Sequence, residues 1–484
     1  MQDFVYNPCP QLLLRRTFLS RMGVGVGAAA LTTLWGKDRG VFASTLPSGY
    51  HGLSGLPNHS AKAKRVIFLC MAGGPSHLET FDYKPKLAEL HEQPMPESYT
   101  KGQPVAQLQG HELRAYGGMF KFGQHGQSGQ TISELLPWHQ KIVDDICIVR
   151  SMVTEQINHD PAHTFMNCGT AISGRPSMGA WINYGLGSET DNLPGFVVLT
   201  SIGGREPDQP IASRQWSAGF LPSRFQGVEF NSSGEPVHYV RNPAGMPDEL
   251  QRASVESIQQ LDRHRDRWIE DPEIQTRVAA YETAYRMQFS VPELMDMSNE
   301  PSHILELYGA TPGNGSFASN CLLARRLAER GVRFIHLYHR GWDHHGFLER
   351  DIQRCATHTD RATYALITDL KQRGMLDETL VIWGGEFGRT PMVQLGSGAP
   401  GRDHHIKGFT MWLAGGGVKK GISYGATDDL GYHAVNDIVH VRDLHATMLH
   451  LLGIDHKRLT FPFQGLHMRL TGVEEARVVK EILA

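Results

Sequence analysis

The C-terminal half of the chain alternates between short apolar runs and stretches of helical spacing, and few architectures accept that rhythm. Val332 to Tyr338, Thr379 to Trp383 and Phe409 to Ala414 have the length and apolar continuity of strands buried on both faces. Helical periodicity covers about Ser316 to Arg330 and about Asp351 to Arg373, and returns over about Val441 to Leu452. Strand–helix–strand units close with right-handed crossovers, so the pattern predicts an α/β fold, a mostly parallel sheet sandwiched by helices. Arg65 to Met71, Ile146 to Val149 and Phe196 to Leu199 read as three further strands nearer the N-terminus.

Other stretches break the rhythm. Gly, Gln and His dominate Pro94 to Gly129, which reads as an irregular excursion, and helical spacing resumes around Thr131 to Lys141. Pro207 to Pro243 is rich in turn residues and has no clear helix. Glu249 to Phe289 is helical and highly charged, and predicts a helical insertion over about residues 245–292 in a domain spanning 64–480. Its cluster Arg263, Arg265, Asp266, Arg267 and Glu270 reads as a solvated face. The 484 residues suffice for a sizeable core. A net charge of -3 leaves no basic excess to neutralise phosphates, which argues against a nucleic-acid partner.

Leu14-Arg15-Arg16-Thr17-Phe18-Leu19 precedes a mildly apolar, Gly/Ala-rich run from Met22 to Trp35, and Val41-Phe42-Ala43 offers small-residue cleavage chemistry. Twin arginines before a weakly apolar segment mark the bacterial route that exports folded proteins. Residues 1–43 are therefore expected to be a signal peptide and 44–63 a linker. The mature protein is expected in the periplasm or otherwise exported, with the twin-arginine machinery as a partner. The apolar run is glycine-interrupted and short for a stable membrane span. Loss of Cys9 leaves Cys70, Cys147, Cys168, Cys321 and Cys355, with no C-x-x-C pair and no look of a disulfide framework. Cys70, Cys147 and Cys321 fall in apolar patterns and are expected to be buried.

Residues able to do chemistry gather beside the strands. Gly341-Trp342-Asp343-His344-His345 follows the run ending at Tyr338, and Gly385-Glu386-Phe387-Gly388-Arg389 follows Trp383. Gly401-Arg402-Asp403-His404-His405 lies just before Phe409. Loops at the carboxyl ends of parallel strands converge on one crevice, and Asp, Glu and His collected there suit a divalent cation. Asp343 and His345, two apart in an extended loop, can point the same way. Glu386 and His404 are the other candidate metal ligands. His344 is a ligand or a support, and of the adjacent His404 and His405 one completes the site. Arg389 is a candidate clamp for an anionic oxygen, or a partner for Glu386. Asn158-His159-Asp160-Pro161-Ala162-His163 leads into a helix, where His159 and His163, four apart, can share a face as acid/base groups or ligands. Ser76, with Glu79 three residues on, fits a capping box better than a nucleophile. Glu79 and Asp82 are weaker ligand candidates.

Gly73-Gly74-Pro75-Ser76-His77-Leu78-Glu79-Thr80-Phe81-Asp82 and the three loops above, in this order, resemble the domain-of-unknown-function 1501 family over about residues 65–480. Asp443-Leu444-His445-Ala446-Thr447-Met448-Leu449-His450-Leu451-Leu452-Gly453-Ile454 resembles the late helix of the related sulfatases. The resemblance implies an alkaline phosphatase/sulfatase-like sheet and twin-arginine export. It also implies a divalent metal (Zn, Mn or Ca) and hydrolysis of an anionic ester, sulfate or phosphate, with sulfated polysaccharide the favoured substrate class. Asp343, His345 and His404 carry over as ligands, and Glu386 with Phe387 stands where relatives have an Asp-His pair. Cys168-Gly169 resembles the Thr-Gly pair that follows the superfamily nucleophile, which places His159 where that Ser, Thr or Cys would sit. This departure raises an alternative, a catalytically degenerate binding or assembly protein on the same fold.

Overall fold

The structure is a computed structural model that describes residues 52–203, 211–237, 246–269, 272–395 and 398–484. The expected signal peptide and the first part of the linker lie outside the described residues. The chain divides into two compact units. In the smaller, Arg241–Tyr285 carries the charged helical stretch. The larger comprises Gly49–Val240 and Arg286–Ala484 and holds the sheet.

The sheet strands are β1 (Arg65–Met71), β2 (Ile146–Val153), β3 (Phe196–Ser201), β4 (Val228–Phe230), β5 (Phe334–His339), β6 (Thr379–Gly384), β7 (Phe409–Ala414), β8 (Ile422–Tyr424) and β9 (Val439–His440). Among the described residues they form one nine-stranded sheet in the order β8-β2-β7-β6-β1-β5-β3-β4, with β9 also on β2. Every pairing is parallel except those of β7, which runs antiparallel to both β2 and β6. The sheet is therefore mixed and mostly parallel, as the strand–helix rhythm implied. The reversal of one central strand left no mark in that rhythm.

The longer helices are α1 (His159–Cys168), α2 (Met178–Leu186), α3 (Asp248–Ile269), α4 (Pro272–Met295), α5 (Ser302–Tyr308), α6 (Phe317–Glu329), α7 (Leu348–Gln372) and α8 (Val441–Leu451). Strand side chains alternate between two cores, as the two-residue period of a strand requires. From β1, Ile67, Leu69 and Met71 pack in one core with Cys321 and Leu322 of α6 and Ile352 and Leu366 of α7. Val66, Phe68 and Cys70 pack in the other with Phe165 of α1, Trp181 of α2 and Met448 of α8. Helices thus cover both faces. The end of α4 joins the first core through Met287, Val291 and Leu294. All five cysteines among the described residues are buried and stand outside any disulfide. No helix of the described residues is long and apolar enough to cross a membrane.

Two local expectations are corrected. Helical spacing at Thr131 to Lys141 yields instead a strand, Gln130–Ser133, antiparallel to Phe122–His125 within the supposed irregular excursion, and a single turn at His139–Lys141. Thr131 and Ile132 are β-branched and lose rotamer freedom in a helix, and Pro137 cannot supply a helical N–H. Within the turn-rich stretch, Val228–Phe230 adds an edge strand to β3.

Buried histidines set a pH limit on stability. His445 on α8 donates to Met166 O at 2.7 Å, and burial brings its pKa down to about 4. His339 at the end of β5 accepts from Trp342 Nε1 at 3.0 Å, and burial, with His358, Arg340 and His344 nearby, brings it to about 3. Both are neutral when folded, whereas the unfolded chain takes up their protons below about pH 6.5. Stability is therefore expected to fall as pH drops from about 6.5 toward 4 and 3, each group contributing about 1.4 kcal/mol per pH unit. Chemical denaturation of wild type and His445→Asn at pH 7.5 and 5 checks this. An equal loss in both proteins excludes His445 from the effect.

Candidate metal centre

Four segments meet at one edge of the sheet. The carboxyl end of β5 leads to Asp343 and His345, and that of β6 leads to Glu386. The carboxyl end of β2 leads to His159 at the start of α1. His404 precedes β7, so in an all-parallel sheet it would lie at the opposite edge. Because β7 is antiparallel, its amino end arrives where its neighbours' carboxyl ends do. A two-residue antiparallel ladder, His404 with Arg389 and His405 with Gly388, ties the His404 segment to the Glu386 segment. Two glycines permit the close approach. A Cβ on Gly73, at φ 119°, would lie 2.5 Å from Asp343 N, and one on Gly401 would lie 2.2 Å from the His345 carbonyl carbon. Any side chain at either position would separate the loops.

Among the described residues, two groups could hold a cation: His159, Asp343, His345 and His404, and His159, His163 and Glu386. In the first, Asp343 Oδ1 lies 2.9 Å from His345 Nε2 and 3.2 Å from both His404 Nε2 and His159 Nε2. The Nε2 atoms of His345 and His404 are 2.8 Å apart. The other nitrogens fix the tautomers. His404 Nδ1 donates to Ile157 O at 2.8 Å, and His345 Nδ1 to Gln394 Oε1 at 2.6 Å. Both Nε2 lone pairs therefore face each other and a carboxylate oxygen, an arrangement that repels unless a cation sits among them. His404 stays neutral to support this, since burial, only partly opposed by Asp343, takes its pKa to about 4.

Glu386 sits one step back. It is fully buried, receives the Gly73 N–H at both oxygens (3.0 and 3.1 Å), and accepts from His159 Nδ1 at 2.7 Å. Burial opposes its charge, but His163 and His159 outweigh that and bring it to about 2. Burial likewise lowers His159, but hydrogen bonds to Asp343 and Glu386 more than compensate and its pKa is raised. His163 Nε2 lies 3.4 Å from Glu386 Oε1 on a ring 1% exposed, and burial lowers its pKa. Asp343 is held well below the usual carboxylate range. Burial pushes it up, but Arg389 and the three histidines prevail.

Arg389 does not stand where an anion clamp must. It is 1% exposed, bonds Asp343 Oδ1 at 2.6 Å rather than Glu386, and donates to the carbonyls of Gly73, Gly74 and Arg402. Its donors are spent on the loops and on neutralising Asp343. Ser76 makes no side-chain cap to a helix backbone; its hydroxyl donates to Glu79, whose carboxylate forms a fully buried pair with Arg402 at 2.7 Å. Asp82 pairs with Lys84 at 3.1 Å, away from the cluster. His405 is buried against Tyr432 and bonds its carbonyl, and His344 packs beside Trp342 and Cys355.

Two contributors escaped the sequence. Gln394 orients His345, and Gln107 Nε2 stands 3.2 Å from His345 Nε2. Neither lies in a ligand-like motif, and Gln107 falls in the stretch read as irregular. Asp403 brings it there, accepting the N–H groups of Ala106, Gln107 and Leu108 at 3.1, 2.7 and 3.0 Å.

Solved structures similar to this chain include a phosphonate monoester hydrolase from Silicibacter pomeroyi (11% identity, 72% of this chain and 71% of that one, TM-score 0.32). They also include a sulfatase from Pseudoalteromonas sp. (11%, 81% and 68%, 0.33) and the alkaline phosphatase of the Antarctic bacterium TAB5 (12%, 75% and 95%, 0.28). Likeness at this level carries no argument about chemistry, which rests on the side chains above. No curated protein matches the chain. Residues 63–483 match the family model described as a protein of unknown function, DUF1501, and with nearly the whole α/β unit inside that match the chain belongs to this family.

Proposed function

We propose that the protein is an exported, metal-dependent hydrolase of anionic esters, sulfate or phosphate, with His159, Asp343, His345 and His404 holding one divalent cation. The observation that carries this is the pair of imidazole Nε2 atoms 2.8 Å apart against Asp343 Oδ1. Three imidazole nitrogens and one carboxylate oxygen are donors that would suit a zinc-like divalent cation. This set differs from the one expected from sequence. His159 replaces Glu386 as a ligand, and Glu386 becomes the carboxylate that orients it, a common partnership at metal sites.

A divalent cation bound there supplies Lewis acidity toward an ester oxygen. The chain's residues prepare for it. Glu386 holds the Nδ1 proton of His159 and leaves Nε2 directed at Asp343. Ile157 O and Gln394 do the same for His404 and His345. Arg389 keeps Asp343 ionised and ties it to the β1 loop. His163 lies beneath Glu386, too buried to meet substrate, and supports that carboxylate. Sulfated polysaccharide remains the favoured substrate class on the family resemblance, and periplasmic delivery rests on the paired Arg15 and Arg16. A non-catalytic binding role is the second reading, favoured by the presence of His159 at the start of α1, where relatives of the superfamily are expected to carry a hydroxyl or thiol.

Purified protein is expected to carry about one equivalent of a divalent metal and to cleave aryl sulfate or aryl phosphate, with activity lost to chelator and restored by metal. Metal-free protein that is inert to both esters would overturn the enzymatic reading. Metal-loaded but inert protein would leave the binding role. Glu386→Gln is expected to weaken metal affinity about 10- to 100-fold without emptying the site. Unchanged affinity in a titration would remove the orienting role.

A further inference from the structure

His345 Nε2 has one lone pair and two claimants. Its Nδ1 donates to Gln394 Oε1, Gln394 Nε2 donates to Gln107 Oε1 at 2.8 Å, and Gln107 Nε2 returns to His345 Nε2 at 3.2 Å. The three side chains form a closed ring of hydrogen bonds running in one direction, which fixes the orientation of both amides. A cation held by His345 takes the lone pair that the Gln107 amide uses. It leaves the rest of the ring intact, since His345 Nδ1 and Gln394 keep their bonds. Gln107 cannot drift far, because the buried Asp403 carboxylate clamps three consecutive N–H groups of its loop and Gln394 still grips its Oε1.

Resting on the cation site proposed above, we infer that Gln107 is a specificity-determining donor. Its amide points at the His345 Nε2 lone pair, 3.2 Å away, and with a cation on that lone pair it presents its N–H to an oxygen of a tetrahedral anion. Gln107 is exposed and therefore open to solvent beside His345. Arg389, the cation expected from sequence to do this work, is buried and committed. A neutral amide that donates without adding charge suits a sulfate or a phosphate group bound beside the metal.

The test uses the full chain freed of metal, with zinc chloride as the first titrant and inorganic sulfate or inorganic phosphate, in separate arms, titrated into the zinc-loaded protein. Gln107→Ala removes the competitor, so zinc is expected to bind about 2- to 10-fold more tightly. It also removes the donor, so at least one of the two anions is expected to bind about 2- to 10-fold more weakly. The anion affected names the ester class. Gln107→Leu, which keeps bulk and lacks the donor, is expected to copy both changes. Zinc affinity that is unchanged or weaker in both variants overturns the inference, as does anion affinity that is unchanged or absent from the wild type. Wild-type protein that binds no zinc overturns the cation site as well, which separates the two failures.

Discussion

Asp343→Asn is expected to empty the centre, lowering zinc affinity by at least about 100-fold, since even the loss of an orienting outer partner costs 10- to 100-fold. Asp343 Oδ1 is the atom around which the three imidazole nitrogens and Arg389 assemble, at 2.6 to 3.2 Å. The amide keeps the shape and removes the charge, so both the attraction for a cation and the neutralisation of buried Arg389 are lost. Elemental analysis beside isothermal titration reads the first effect, and a thermal melt reads the second. His404→Ala should share the loss of metal without the penalty of an unpaired guanidinium. Metal content equal to wild type in the Asp343 variant would end the ligand assignment, whatever the activity.

Arg402→Met is expected to destabilise the fold by about 3–5 kcal/mol, the usual cost of leaving one partner of a buried ion pair alone. Arg402 and Glu79 are both fully buried and meet through Arg402 Nη2 and Nε, with further donation to the carbonyls of Thr390 and Gly117. Removing both charges, in Glu79→Met with Arg402→Met, should recover much of the loss, because an apolar pair of similar volume spares the desolvation of two ions. Urea denaturation of the single and double variants reads both numbers. A single-variant loss below about 1 kcal/mol would show that the pair contributes little.

The two effects are separable by design. Asp343 and Arg402 belong to neighbouring loops, but Arg402 faces away from the imidazoles toward Glu79 and Tyr116. His404→Ala, with its loss of metal, and Arg402→Met, with its loss of stability, therefore map the two effects onto different residues.

Much of the frame was legible along the chain. β1 and β7 occupy the spans their apolar runs suggested, and α6, α7 and α8 fall within three residues of the helical periodicities read for them. Buried strands and amphipathic helices write their burial into residue order, because each side chain's environment repeats with the element's own period. Asp343, His345, Glu386 and His404 were legible as candidates because acidic and imidazole groups recur in three strand-adjacent loops, although His344, Asp403 and His405 in the same loops serve structural contacts.

Which of them touch a cation was not legible. Residue order left His159 open as an acid/base group or a ligand and marked Glu386 as a ligand, whereas the structure puts His159 against both Asp343 and Glu386. It also withdrew Arg389 into the interior and brought Gln107 from a featureless stretch to within 3.2 Å of His345. The direction of β7 is the deepest of these decisions. Strand polarity within a sheet depends on hydrogen bonding between segments remote in sequence, and a run such as Phe409 to Ala414 has the same period whichever way it runs. Residue order therefore settled what chemistry the loops carry, and pairing across the sheet settled that His404 shares an edge with the others.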